Sequence, residues 1–169
     1  MLKIINDLQP FFEDNYRRIN VREYGKLVKI SPPTASKLLS YYKKEGLLLM
    51  EEYKNYMLFY ANKENKLFIE LSKIYWRLRL KEFIEHIEKK LITQTIILFG
   101  STSKGEIKED SDIDIAIIGI KKDIDIKNFE ARIKRKIQIL WFKSMEEVKN
   151  NELKNSIING VTLSGRLRL

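Results

Sequence analysis

The sequence predicts an α+β protein in two parts joined by a long helix. Three observations carry that prediction. Residues 20–61 set two short helical runs, each with its own start and stop residues, ahead of two β-rich runs. Residues 64–91 contain neither glycine nor proline. Residues 95–119 place two apolar, strand-like runs on either side of a Gly-Ser. The implied parts are 1–62, a connector over 63–91, and 92–169.

The first element, Leu2 to about Asp14, reads as a packing helix with Leu2, Ile5, Leu8 and Phe12 inward. Asn20 is placed to cap a short helix whose Val21, Tyr24, Leu27 and Val28 share a face. Ser31-Pro32 starts a second helix, because proline loses no hydrogen bond in the first turn. Along it Ala35, Leu38, Leu39 and Tyr42 point inward, and Gly46 stands where the helix must end. Two β-rich runs, 47–53 and 56–61, then meet near Lys54-Asn55.

Helix, turn, helix, hairpin resembles a winged helix-turn-helix domain, whose second helix enters the DNA major groove. The resemblance implies a DNA-binding face made of Thr34, Ser36, Lys37, Tyr41, Lys43 and Lys44, with Lys54 on the hairpin. The same lysines would also suit the solvated face of a domain that binds only protein.

The connector carries two apolar sets at helical spacing. Leu67, Phe68, Leu71, Ile74, Tyr75 and Leu78 form one; Ile69, Trp76, Leu80, Phe83 and Ile87 form the other. A continuous helix here would run about 40 Å. Two faces suit contact with both parts, or the seam of a homodimer. His86, among Glu85, Glu88 and Lys89, reads as a surface residue.

In the last part, "TIILFG" (95–100) is an apolar strand running into Gly100-Ser101, and "DIDIAIIG" (112–119) is a second strand. Residues two apart share a strand face, so Asp112 and Asp114 lie side by side while Ile113, Ile115 and Ile117 face a core. Strands disfavour carboxylates. Two on one face repel unless a cation sits between them, and hard oxygen ligands suit Mg²⁺. Gly100 permits close backbone approach, and free N–H groups after Ser101 can hold phosphate oxygens.

An apolar strand, Gly-Ser, about ten residues and then Asp-x-Asp resembles the nucleotidyltransferase fold of the DNA polymerase β superfamily, in particular its minimal members and the antibiotic nucleotidyltransferases. The resemblance covers residues 92–169 and includes Lys104-Gly105, "SDIDI" and the closing "NGVTLSG". It implies a small mixed sheet flanked by helices. It also implies Mg²⁺ or Mn²⁺ on Asp112 and Asp114 as the catalytic pair, with a nucleoside triphosphate contacted by Gly100, Ser101, Lys104 and Ser111. Transfer of a nucleoside monophosphate to a protein, nucleic-acid or small-molecule acceptor would release pyrophosphate.

The chain departs from that pattern at one place. The third carboxylate would fall on "KIQILWF" (136–142), where Gln138 stands instead. An amide oxygen can ligate a metal but cannot act as a base. Nucleotide binding with weakened or absent transfer follows from that departure, and so does an alternative: a nucleotide-sensing DNA-binding regulator or an antitoxin-like protein. Asp125, in a second "DIDI", reads as the cap of a helix over 126–135. Glu130 is a distant metal candidate, and Arg132, Lys134, Arg135 and Lys136 form a basic run.

Composition bounds the rest. A net charge of +9 suits a polyanionic partner, DNA first. The chain has no cysteine and one histidine, which excludes disulfides, thiolate metal sites and multi-histidine sites. No signal peptide opens it and no uncharged run reaches bilayer length, so a cytoplasmic protein without membrane contact is expected.

Overall fold

The computed structural model describes residues 2–91 and 95–167; the expected start of the last part, residue 92, lies outside them. The chain forms two compact units. One comprises Met1–Tyr75 with Gly105–Glu109, the other Trp76–Lys104 with Asp110–Leu169.

In the first unit the expected packing helix is two helices, α1 (Lys3–Asp7) and α2 (Gln9–Glu13). Pro10 is the cause: it sits in the first turn of α2, where it is tolerated, and would break a continuous helix. Ile5, Leu8, Phe11 and Phe12 are fully buried, whereas Leu2 is 64% exposed, contrary to its expected place. Helix α3 (Val21–Val28) starts as expected, with the Asn20 side chain accepting from the Glu23 amide at 3.0 Å.

The buried face of α3 is narrower than its apolar spacing implies. Tyr24 and Gly25 are buried, while Leu27 is exposed. At Gly25 a Cβ would stand 3.6 Å from the Ala35 Cβ, so the next helix approaches this face closely. That helix, α4 (Pro32–Lys44), buries Ala35, Leu39 and Tyr42. The Ser31 hydroxyl meets that of Thr34 at 2.9 Å and caps no backbone amide.

Asp7 ties the three helices together. Its carbonyl accepts from the Tyr24 hydroxyl at 2.9 Å and its carboxylate from the Tyr42 hydroxyl at 2.7 Å. Beyond α4, the Gly46 amide donates to the Lys43 carbonyl and the Leu47 amide to that of Tyr42. This paired closure is the one a left-handed glycine permits.

Strands β1 (Leu48–Tyr53) and β2 (Tyr56–Ala61) then pair antiparallel, with Tyr53 opposite Tyr56. Lys54 and Asn55 both have positive φ, as a two-residue turn matched to strand twist demands. Helix α4 packs on β1. Ile19 exchanges two backbone hydrogen bonds with Phe59 at the hairpin's edge, a bridge that one residue's sequence could not announce.

The connector is two helices, α5 (Lys66–Arg79) and α6 (Lys81–Lys90), not one. Leu80 leaves helical geometry between them, at φ −92° and ψ 0°. The division between units falls inside α5, at Tyr75 and Trp76. Phe68 and Tyr75 are buried, but Leu67, Ile74 and Leu78 are exposed. The inward face of α5 instead passes through Ser72, a polar residue that hydrophobic spacing overlooks. In the second set Trp76, Leu80, Phe83 and Ile87 are buried as expected. His86 is half-buried with its ring 5.1 Å from that of Phe129, not a plain surface residue.

The second unit is built on a four-stranded mixed sheet in the order β5-β4-β3-β6. Its strands are β3 (Thr95–Phe99), β4 (Ile113–Ile118), β5 (Ile137–Phe142) and β6 (Val161–Ser164). Strand β3 is antiparallel to β4 and β6, and β4 is parallel to β5. Helix α7 (Gly100–Lys104) follows β3 directly, α8 (Lys127–Ile133) precedes β5, and α9 (Asn151–Ile158) packs on β3. One sheet face is covered by a cluster of Ile97, Phe99, Ala116, Met145, Val148 and Ile157. No described helix is long and apolar enough to cross a membrane.

Candidate functional site

Strand β3 is buried along its whole length, so it can end only where the chain turns sharply out of the sheet. It turns at Gly100, with φ +71°. Phe99 pairs with Asp114 on β4, which brings that carboxylate against the turn. A Cβ on residue 100 would lie 2.2 Å from Asp114 Oδ2 and 3.1 Å from its Cγ. Any other residue there would displace the acid. The Ser103 hydroxyl donates to the Gly100 carbonyl at 2.9 Å and braces α7 from within.

Ile113, Ile115 and Ile117 are fully buried on one face of β4, as the alternation predicted. Asp112 and Asp114 open the other face, which becomes buried and apolar at Ala116. Asp112 is exposed and Asp114 half-buried. Burial raises the pKa of Asp114 above the usual carboxylate range, and the neighbouring Asp112 charge raises it further. A half-buried carboxylate beside a second, exposed one is a donor pair suited to a shared cation.

Gln138 of β5 stands directly opposite Asp114 in the parallel register, so the two share a face. Among the described residues no three His, Cys, Asp or Glu side chains gather where they could hold a metal. Asp112, Asp114 and Gln138 thus bring two carboxylates and one amide to neighbouring strand positions. Glu130 does not supply the missing acid: its carboxylate accepts from the Ile137 amide at 2.9 Å and holds the start of β5. Asp125 accepts from the Lys127 amide at 3.1 Å in the turn before α8, which runs over Lys127–Ile133 and not 126–135; the cap position falls on Ile126, so Asp125 is not the cap itself.

Ser101 and Ser111 are half-buried and Lys104 is exposed. Arg135 was legible only as part of a basic run, yet its guanidinium donates to the Ser111 carbonyl at 2.8 Å, one residue before Asp112. It also lies 5.5 Å from the Trp76 ring. Arg132 of the same run pairs with Glu82.

Residues 81–167 match the family model described as polymerase beta, nucleotidyltransferase. The chain belongs to that family. Comparison with curated proteins and with solved structures finds no match. The polymerase beta match includes every one of Gly100, Ser101, Lys104, Ser111, Asp112, Asp114 and Gln138.

The expected DNA-contacting residues lie in the other unit, outside the polymerase beta match. Thr34, Lys37, Tyr41, Lys43 and Lys44 are exposed on α4, and Ser36 is half-buried. Lys54 is exposed in the hairpin turn, its ammonium 5.3 Å from the Tyr53 ring.

Proposed function

We propose that the chain binds a nucleoside triphosphate with Mg²⁺ or Mn²⁺ at Gly100, Ser101, Asp112 and Asp114, and transfers the nucleoside monophosphate to an acceptor. The observation that carries this reading is the packing of the Asp114 carboxylate against a Gly100 that leaves no room for a side chain. A divalent cation, when bound, would supply charge neutralisation for the triphosphate and lower the pKa of the attacking hydroxyl. Asp112 and Asp114 would offer oxygens to it, with the Asp112 charge adding to the burial that opposes ionisation of Asp114. Ser101 and the backbone amides beyond Gly100 would hold terminal phosphate, with Lys104 and Ser111 at the rim.

The first unit, on this reading, is a winged helix-turn-helix that carries the transferase domain on DNA. Support comes from α4 packed on a two-stranded hairpin, with lysines and short polar side chains on its exposed face. Incubation with labelled triphosphates and Mg²⁺ or Mn²⁺ tests the transfer. Label should reach the protein itself, RNA or a lysate component, and should fail to do so in Asp112→Ala. No transfer under conditions where nucleotide binds would remove the enzymatic half of the reading.

Gln138 favours a second reading. Exposed and directly opposite Asp114, it leaves the site without the third acid that would serve the nucleophile. A domain that binds nucleotide without turning it over would serve as the sensor of a DNA-binding regulator. Gel shifts with and without nucleotide distinguish the two, because a sensor requires DNA affinity to depend on nucleotide.

A further inference from the structure

Five residues between the two halves of the proposed nucleotide site belong to the other unit. Gly105–Glu109 follow Lys104 and precede Asp110 in sequence, yet they fold with Met1–Tyr75. Asn15 is what holds them. Its backbone amide donates to the Ile107 carbonyl at 2.9 Å, and its side-chain oxygen accepts from the Ile107 amide at 2.8 Å. Its side-chain NH₂ donates to the Phe11 carbonyl at 2.8 Å. Asn15 is 1% exposed and Ile107 fully buried, so none of these groups can turn to water instead. On the flanks, Arg17 pairs with Glu109 at 2.8 Å, and the Lys108 ammonium lies 5.5 Å from the Tyr16 ring.

We infer that Asn15 is a positioning residue for the nucleotide site: by fixing Ile107 it sets the path of the chain from the Gly100–Lys104 turn to Asp112 and Asp114. This rests on the nucleotide-binding reading above. A fixed segment brings the phosphate-binding turn and the acidic strand to the ligand already ordered. A freed one must be ordered again at each binding event, which costs conformational entropy and weakens binding. The polarity of the bonds separates this role from a purely structural one. The oxygen of Asn15 serves the segment, while its NH₂ serves Phe11 in the preceding helix α2.

The test is calorimetric titration of the full chain with Mg-ATP, accompanied by thermal unfolding, on the parent and five variants. Asn15→Ala should raise Kd by about fivefold or more. Asn15→Asp keeps the accepting oxygen and loses the bond to Phe11, so it should lower the melting temperature and leave Kd within about twofold of the parent. Leu39→Ala opens a cavity elsewhere in the same unit and should lower the melting temperature without moving Kd. Equal rises in Kd for Asn15→Ala and Leu39→Ala, or no rise for Asn15→Ala, would overturn the inference. If Asn15→Ala does not fold, Arg17→Ala decides: a Kd about threefold or more above the parent's supports the role, and one within about twofold of the parent's overturns it. A parent that binds no Mg-ATP, or binds it equally well as Asp112→Ala, overturns the nucleotide reading itself and this inference with it.

Discussion

Gly100 and Asp114 share one small volume: the carboxylate occupies the space in which a Cβ on residue 100 would stand, 2.2 Å from Oδ2. Gly100→Ala therefore meets two penalties. The left-handed backbone at φ +71° costs a non-glycine residue about 1–2 kcal/mol, and the new methyl displaces the acid. The variant should fold with a lowered melting temperature and lose nucleotide affinity by more than its stability loss accounts for. A melt and a nucleotide titration on the same preparation check this.

Asp114 and Gln138 face each other across parallel strands. Gln138→Asp would complete a set of three carboxylates. If the amide limits turnover, transfer of label should rise while nucleotide affinity barely changes. Without metal the variant should melt earlier than the parent, because a third anion joins two that already oppose each other, and Mn²⁺ should restore more stability to it than to the parent. An unchanged transfer rate would show that Gln138 does not stand at the limiting position.

Much of the site was legible because it is local in sequence. Period-two alternation placed Asp112 and Asp114 together, and Gly100 stood at the end of an apolar run. Gln138 follows from the alternation of one more strand, and the register puts it opposite Asp114. What the sequence concealed depends on distant partners. Arg135 reaches the Ser111 carbonyl across 24 residues, and Asn15 reaches Ile107 across 92. Neither bond has a periodic signature. The connector misled for a different reason: Leu80 interrupts it with neither glycine nor proline, and the buried face of α5 runs through Ser72. Pro10 was visible, and its position in a first turn is why one expected helix became two.

The exposed lysines of α4 make a quantitative prediction about DNA. If Lys37, Lys43 and Lys44 contact phosphates, log affinity should fall linearly with log salt concentration. Each Lys→Ala change should then flatten that slope by about one unit while leaving sequence preference unaltered. Gel shifts across a salt series measure it. Slopes identical to the parent in all three variants would place these lysines on a solvated face.

Asp7 accepts from two buried tyrosines, and this makes stability sensitive to alkali. Burial raises the Tyr42 pKa above the ordinary phenol range, and its bond to Asp7 raises it further; burial, then the Asp7 charge, acts on Tyr24 in the same direction. The unfolded chain releases these protons near pH 10 while the folded chain keeps them. Stability is thus fully present below about pH 10 and declines as pH rises through the folded values. Tyr42→Phe should make that decline shallower. At neutral pH it should cost about 1–2 kcal/mol, because the Asp7 carboxylate loses its donor. Denaturant melts at pH 7 and above pH 10 measure both effects.

The most direct measurement is calorimetric titration with each nucleoside triphosphate, with and without Mg²⁺, on the parent chain and on Asp112→Ala. A shared cation between the Gly100 turn and the paired aspartates predicts metal-dependent binding in the parent and its loss in the variant. Binding that ignores Mg²⁺, or survives unchanged in Asp112→Ala, would contradict it.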